Sequence, residues 1–133
     1  MKYSVDRRDN YTIFQLQEDN LNSIIAPDLK ADFIMLQSEG IRNFILDLSL
    51  VNFVDSSGLS AILTANRLWK GDKGTFVLTG IVNPNVKKLI EISRLDSILA
   101  LAPNMTTAVE HIRMEEVERR LRRSEERRVG ECW

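Results

Sequence analysis

The run Phe44-Ile45-Leu46-Asp47-Leu48 constrains this chain more than any other feature. It is nearly continuous in apolar residues and follows a stretch with helical periodicity. A half-exposed strand alternates apolar with polar side chains, whereas a strand covered on both faces does not. The run therefore predicts a strand buried between layers of helix. Strands of that kind belong to mostly parallel sheets, whose crossover helices supply the cover.

The rest of the pattern agrees. Residues 5–8 and 11–17 read as two short strands joined by the charged stretch Asp6-Arg7-Arg8-Asp9-Asn10. Asp19-Asn20-Leu21-Asn22-Ser23 reads as a polar loop. Pro27 suits the first turn of a helix, since its φ is fixed and its missing N–H is not needed there. Leu29, Phe33, Met35 and Leu36 give that helix an apolar face, and Gly40 suits its left-handed end. After the buried strand, residues 51–54 lead into a turn, and 57–69 form a helix with Leu59, Ile62, Leu63 and Asn66 at helical spacing. Thr75-Phe76-Val77-Leu78-Thr79 is a strand. Pro84 opens a helix through Ile92 with Val86, Leu89 and Ile90 inward. Residues 98–101 are a last short strand, and Thr106 or Thr107 caps a final helix carrying Ala108, Val109, Ile112 and Met114. Trp69 is expected at the domain edge, and Met35, Met105 and Met114 as packing fillers. The predicted fold is a single α/β domain. Its sheet is mixed but mostly parallel, with four to five strands, an N-terminal strand pair and about four helices.

Composition removes several function classes. A chain of 133 residues builds one hydrophobic core. A formal net charge of −1 gives no global field for nucleic acid or an anionic membrane. The single cysteine, Cys132, excludes an internal disulfide framework and a cysteine-rich zinc site, and fits a reducing, cytoplasmic compartment. No stretch approaches the roughly 20 apolar residues of a membrane helix, and the N-terminus lacks a signal-peptide core. Gly71 and Gly74 flank a short loop without the lysine and serine or threonine of a phosphate-binding loop. Neither a metal-ligand cluster nor a cofactor motif is present in the pattern.

The domain is expected over residues 1–118, followed by a charged extension over 119–133. The extension reads as a helix continued from the domain and then disordered, because it carries too few apolar groups to offset ordering entropy. Its segment 123–132 also resembles the translation of a common sequencing adapter with one lysine missing, which would end the natural chain near Leu121 or Arg122. No function is assigned to Cys132 or Trp133.

One site stands out. Asn52-Phe53-Val54-Asp55-Ser56-Ser57-Gly58-Leu59 joins a strand to a helix and concentrates small polar residues at the helix start. Asp55 or Ser56 can accept hydrogen bonds from the free N–H groups of the first turn. Gly58 leaves room for a close backbone approach. The plain reading is a good N-cap and nothing more. An enzymatic reading fails on pattern: a nucleophile elbow needs glycine where Val54 stands, and the only histidine, His111, lies far along on the last helix.

Val54-Asp55-Ser56-Ser57-Gly58-Leu59 followed by Ala61-Ile62-Leu63 resembles the signature of bacterial anti-sigma factor antagonists, founding members of the STAS domain family. Leu46-Asp47-Leu48-Ser49, Phe76-Val77-Leu78-Thr79-Gly80, and Val86-Lys87-Lys88-Leu89-Ile90 with Leu95-Asp96 resemble that family's flanking elements. The resemblance implies a binding module and not an enzyme. The implied acceptor of a phosphoryl group is Ser56, modified by an anti-sigma factor that is itself a serine kinase. The unphosphorylated form would hold that partner and free a sigma factor; phosphorylation would release it, and a PP2C-type phosphatase would reset the switch. Asp55, Ser57, Gly58 and Leu59 would share the contact, joined by Asn22 from the loop 19–23, where the Asn-Leu-Asn pattern departs from many relatives. The alternative keeps the fold and changes the role, to a scaffold or a subunit of another regulatory or lipid-transport complex without sigma factor control.

Overall fold

The computed structural model describes residues 1–131. Its main sheet has five strands: β1 (Tyr3–Arg7), β2 (Thr12–Leu16), β4 (Asn43–Asp47), β6 (Thr75–Thr79) and β7 (Ala100–Ala102). They lie in the order β1-β2-β4-β6-β7, with β1 antiparallel to β2 and the remaining pairs parallel. Two-residue strands β3 (Asn20–Leu21) and β5 (Phe53–Val54) form a separate parallel pair. The helices are α1 (Ala26–Ser38), α2 (Ser56–Gly71), α3 (Pro84–Ile92) and α4 (Met105–Glu131).

The expected two-faced burial is realised residue by residue. Phe44, Leu46, Phe76 and Leu78 face one side of the sheet, with Phe33 of α1, Trp69 of α2, and Val86 and Ile90 of α3. Ile45 and Val77, one residue out of phase, face Ala108 and Ile112 of α4 on the other. The first layer is built around aromatics. Trp69 stacks on Phe44 with ring centroids 4.0 Å apart, and Phe33 meets both edge-on. The indole N–H donates to the Ile41 carbonyl at 3.0 Å. Trp69 is thus fully buried at the centre of the core, not at its edge.

Other local expectations need correction. Residues 19–23 and 51–54 are not simply loop and turn, because β3 and β5 pair there. A two-residue ladder is too short to show periodicity; its apolar trace is the buried Leu21 and the half-buried Val54 opposite it. The last strand begins two residues later than expected, since a 3-10 turn (Leu95–Ser97) precedes it. Asn104, and not Thr106 or Thr107, caps α4: its side chain accepts from the Thr107 N–H at 2.9 Å. Met35 and Met114 are exposed and do not fill the core. Arg119, which the sequence reading places in the extension, reaches back to Asn43 and Thr75 of the sheet. Cys132 and Trp133 lie outside the described residues.

Candidate functional site

Parallel strands deliver their connecting loops to one edge of a sheet, and ligand contacts gather there. At that edge the chain leaves β4, turns through β5 and enters α2 at Ser56. Asp55 is extended, with φ −100° and ψ −174°, as an N-cap requires. Its Oδ1 accepts from the Gly58 N–H at 2.9 Å, and its carbonyl accepts from the Leu59 N–H at 3.0 Å. The Asp55 N–H donates in turn to the Leu21 carbonyl at 3.1 Å, which ties the helix start to β3.

Ser56 is the first residue of α2 and is exposed; Ser57 is half-buried. Gly58 is buried. A Cβ there would stand 2.4 Å from the Leu21 carbonyl oxygen and 2.9 Å from Cγ1 of Val54. Gly58 therefore lets α2 lie against β3 and positions the serines; it offers almost no surface of its own. Leu59 is half-buried and packs against the core. Asn22 follows β3 and is half-buried, its Oδ1 accepting from the N–H groups of Ile24 at 3.0 Å and Ile25 at 3.4 Å. The β3–β5 pair thus brings Asn22 to the edge that carries Asp55 and Ser56, but its side chain braces the entry to α1.

Sequence reading missed the bracing of this edge. Asn52 donates its side-chain amide to Asp19, and its Oδ1 accepts from the Asn83 amide at 3.2 Å. Three loops, after β2, β4 and β6, are linked by that one asparagine. Asn83 also caps α3 by accepting from the Asn85 N–H at 2.9 Å. At the end of β4, Asp47 accepts from the Ser49 N–H at 2.9 Å and from Gln15 at 3.2 Å. Gly80, with φ +78°, makes room for Asp47: a Cβ would meet its Oδ1 at 2.3 Å.

The edge is apolar and acidic together. Ile24 is 80% exposed and Phe53 55%, and Leu50 and Val82 stand out on neighbouring loops. Exposed apolar side chains gathered at one edge are candidates for a protein contact surface. Asp19 and Asp55, with Asp47 at the end of β4, supply negative charge at the same edge. A cation enters one turn further along α2, where Lys30 Nζ of α1 donates to Ser60 Oγ at 3.0 Å. His111 lies on α4, on the other face of the sheet, 3.9 Å from Glu115. Among the described residues no group of three His, Cys, Asp or Glu side chains converges as metal ligands would, and no helix is long and apolar enough to cross a membrane.

Residues 2–110 match the model of the STAS domain. The chain belongs to the STAS domain family. It is 31% identical over 108 residues to BtrV of Bordetella bronchiseptica, a candidate anti-sigma factor antagonist; the match covers 81% of this chain and 91% of that one. Its fold resembles that of an anti-sigma factor antagonist from Mycobacterium paratuberculosis, with a TM-score of 0.75 at 20% identity, over 84% of this chain and 93% of the other. It also resembles the antagonist SpoIIAA. The unphosphorylated form gives a TM-score of 0.70, and the phosphorylated form, from Bacillus, 0.63. Each is 18% identical, over 84% of this chain and 96% and 99% of the SpoIIAA chains respectively.

Proposed function

We propose that this protein is a cytoplasmic anti-sigma factor antagonist whose partner binding is switched by phosphorylation of Ser56. In its unphosphorylated form it binds an anti-sigma factor that carries serine kinase activity, and so frees a sigma factor. Transfer of a phosphoryl group to Ser56 ends that contact, and a PP2C-type phosphatase restores it. The observation that carries this reading is the exposed Ser56 at the first position of α2, on an edge lined by exposed Ile24 and Phe53.

The physics separates fold from affinity. A phosphate adds about −1.5 to −2 charge at neutral pH. At a helix N-terminus that charge is favoured within the domain, because free N–H groups and the helix dipole face it. Against a docked partner it joins Asp19, Asp47 and Asp55 on an already acidic edge. Burying it there without a new cation is costly. The domain can therefore keep its shape while the complex falls apart. Asp55, Ser57 and Leu59 border the contact, while Gly58 and Asn22 hold the edge in place.

The test is incubation with the cognate kinase and ATP, followed by peptide mass analysis. One phosphate on the peptide containing Ser56, and none on a Ser56→Ala variant, is expected. Modification elsewhere, or none, would overturn the reading.

A further inference from the structure

A cavity of about 630 Å³ opens at the opposite edge of the sheet from Ser56, where β4 and β6 begin. Arg42, Lys73, Glu115, Arg119, Arg122 and Arg123 line it. Leaving aside Arg123, which falls in the adapter-like segment, four cations meet one carboxylate there, in a chain whose formal net charge is −1.

The backbone brings these groups together. Lys73 turns through the left-handed region at φ +57°. Gly74 then passes so close to Arg42 that a Cβ would stand 2.2 Å from the Arg42 carbonyl oxygen. The Thr75 N–H donates to that same carbonyl at 3.0 Å. Arg119 is fixed from the side of α4. Its Nη1 donates to Thr75 Oγ1 at 2.9 Å and to the Lys73 carbonyl at 3.2 Å; its Nη2 donates to Asn43 Oδ1 at 2.8 Å and to Glu116. Its buried Nε–H has no partner among the described residues.

Glu116 is committed to Arg119, and Glu118 to Arg122 at 3.4 Å. Among residues 1–124 neither Arg42 nor Lys73 forms an ion pair, and cations outnumber the single lining carboxylate, Glu115. The volume falls within the range of small-molecule sites. No aromatic side chain lines it, so nothing stacks a base.

We infer that this cavity is a binding site for a compact polyphosphate anion, of the di- or triphosphate class. Arginine forks and a lysine point charge are the side chains that hold such groups. The site is independent of Ser56 and stands or falls without it.

The experiment is calorimetric titration of the full chain with sodium tripolyphosphate at low ionic strength, where exposed charges are least screened. Wild type is compared with the double variant Arg42→Gln/Lys73→Gln and with Lys87→Gln/Lys88→Gln on α3, which removes the same charge elsewhere. Saturable one-to-one binding is expected, weakened at least about tenfold in the first variant and within about twofold of wild type in the second. Absence of saturable heat, or equal weakening by both pairs, would overturn the inference. Amide NMR shifts of wild type serve as a second readout that no variant's folding can confuse. They are expected to move at Lys73, Gly74 and Thr75; movement confined to the Ser56 edge would also overturn it.

Discussion

The carboxylate of Asp55 accepts a hydrogen bond from the backbone N–H of Gly58 at 2.9 Å, closing the first turn of α2 around Ser56 and Ser57. One residue caps the helix, and the other lets it approach β3. The two roles are separable by mutation. Asp55→Ala is expected to lower stability by about 1 kcal/mol, the usual value of an N-cap, whereas Asp55→Asn keeps the acceptor and most of that stability. Urea denaturation of the two variants checks this.

Gly58→Ala is expected to cost more. The added Cβ meets the Leu21 carbonyl and side chain and Val54 Cγ1, all below 3 Å. Overpacking of this kind destabilises by about 1–3 kcal/mol. Gly71→Ala is the internal control: a Cβ there meets nothing within 4 Å. Removing glycine at this helix position is expected to stabilise by about 0.5–1 kcal/mol. Opposite shifts in the urea midpoint are the outcome to look for.

Trp69 offers a probe of the core. It is fully buried between α1, α2 and the sheet and stacks on Phe44. Trp69→Ala is expected to cost about 3–5 kcal/mol, a large share of the roughly 5–15 kcal/mol that holds a domain folded. Trp69→Phe keeps part of the stack but leaves the Ile41 carbonyl without its donor, and its cost should fall between wild type and alanine. Thermal melts followed by circular dichroism rank the three.

Two carboxylates make stability depend on pH in opposite senses. The Asn43 amide, and then the Arg119 guanidinium, hold Glu116 below the usual carboxylate range, although burial pulls the other way. Burial, with Asp28 one turn away, pushes Asp32 up. A depressed carboxyl contributes stability above its unfolded pKa, about 4.3 for glutamate, and that contribution is lost as pH falls through its folded value. A raised carboxyl does the reverse: stability falls as pH rises from the unfolded pKa, about 3.9 for aspartate, through the folded one. Asp32→Asn should therefore raise the melting temperature at pH 7 more than at pH 3. Glu116→Gln should lower it at pH 7 more than at pH 3. Melts of both variants at the two pH values decide the signs.

The layered architecture was legible because buried parallel strands leave long apolar runs. Phe44-Ile45-Leu46 needs helices on both sides, and it has them. The start of α2 was legible to within one residue, with the cap left between Asp55 and Ser56, since capping chemistry is local and Asp55 stands beside the backbone it caps. What escaped depends on distant partners. Nothing near Leu21 announces that residues 53–54 pair with β3. Nothing near Asn52 shows that it bridges Asp19 and Asn83. Trp69 looked peripheral because it sits near a helix end; only the sheet beneath that end makes it central. Arg119 looked like one more charge in a polar helix until Asn43 and Thr75 were placed under it.

Ser56 at N1 of α2 should tolerate a negative charge within the domain. Ser56→Asp is expected to leave the melting temperature unchanged or raise it slightly, by the equivalent of about 0.3–1 kcal/mol from the helix dipole. A marked loss of stability would mean that the hydroxyl serves the fold. Differential scanning calorimetry beside Ser56→Ala separates the two.

The most direct test measures affinity. Wild type, Ser56→Ala and Ser56→Asp are titrated against the cognate anti-sigma factor kinase without hydrolysable nucleotide. Wild type and the alanine variant should bind alike, while aspartate at position 56 should weaken the complex at least about 30-fold, a loss of about 2 kcal/mol. Equal affinity of all three forms would contradict the claim that charge on this one side chain governs the partnership.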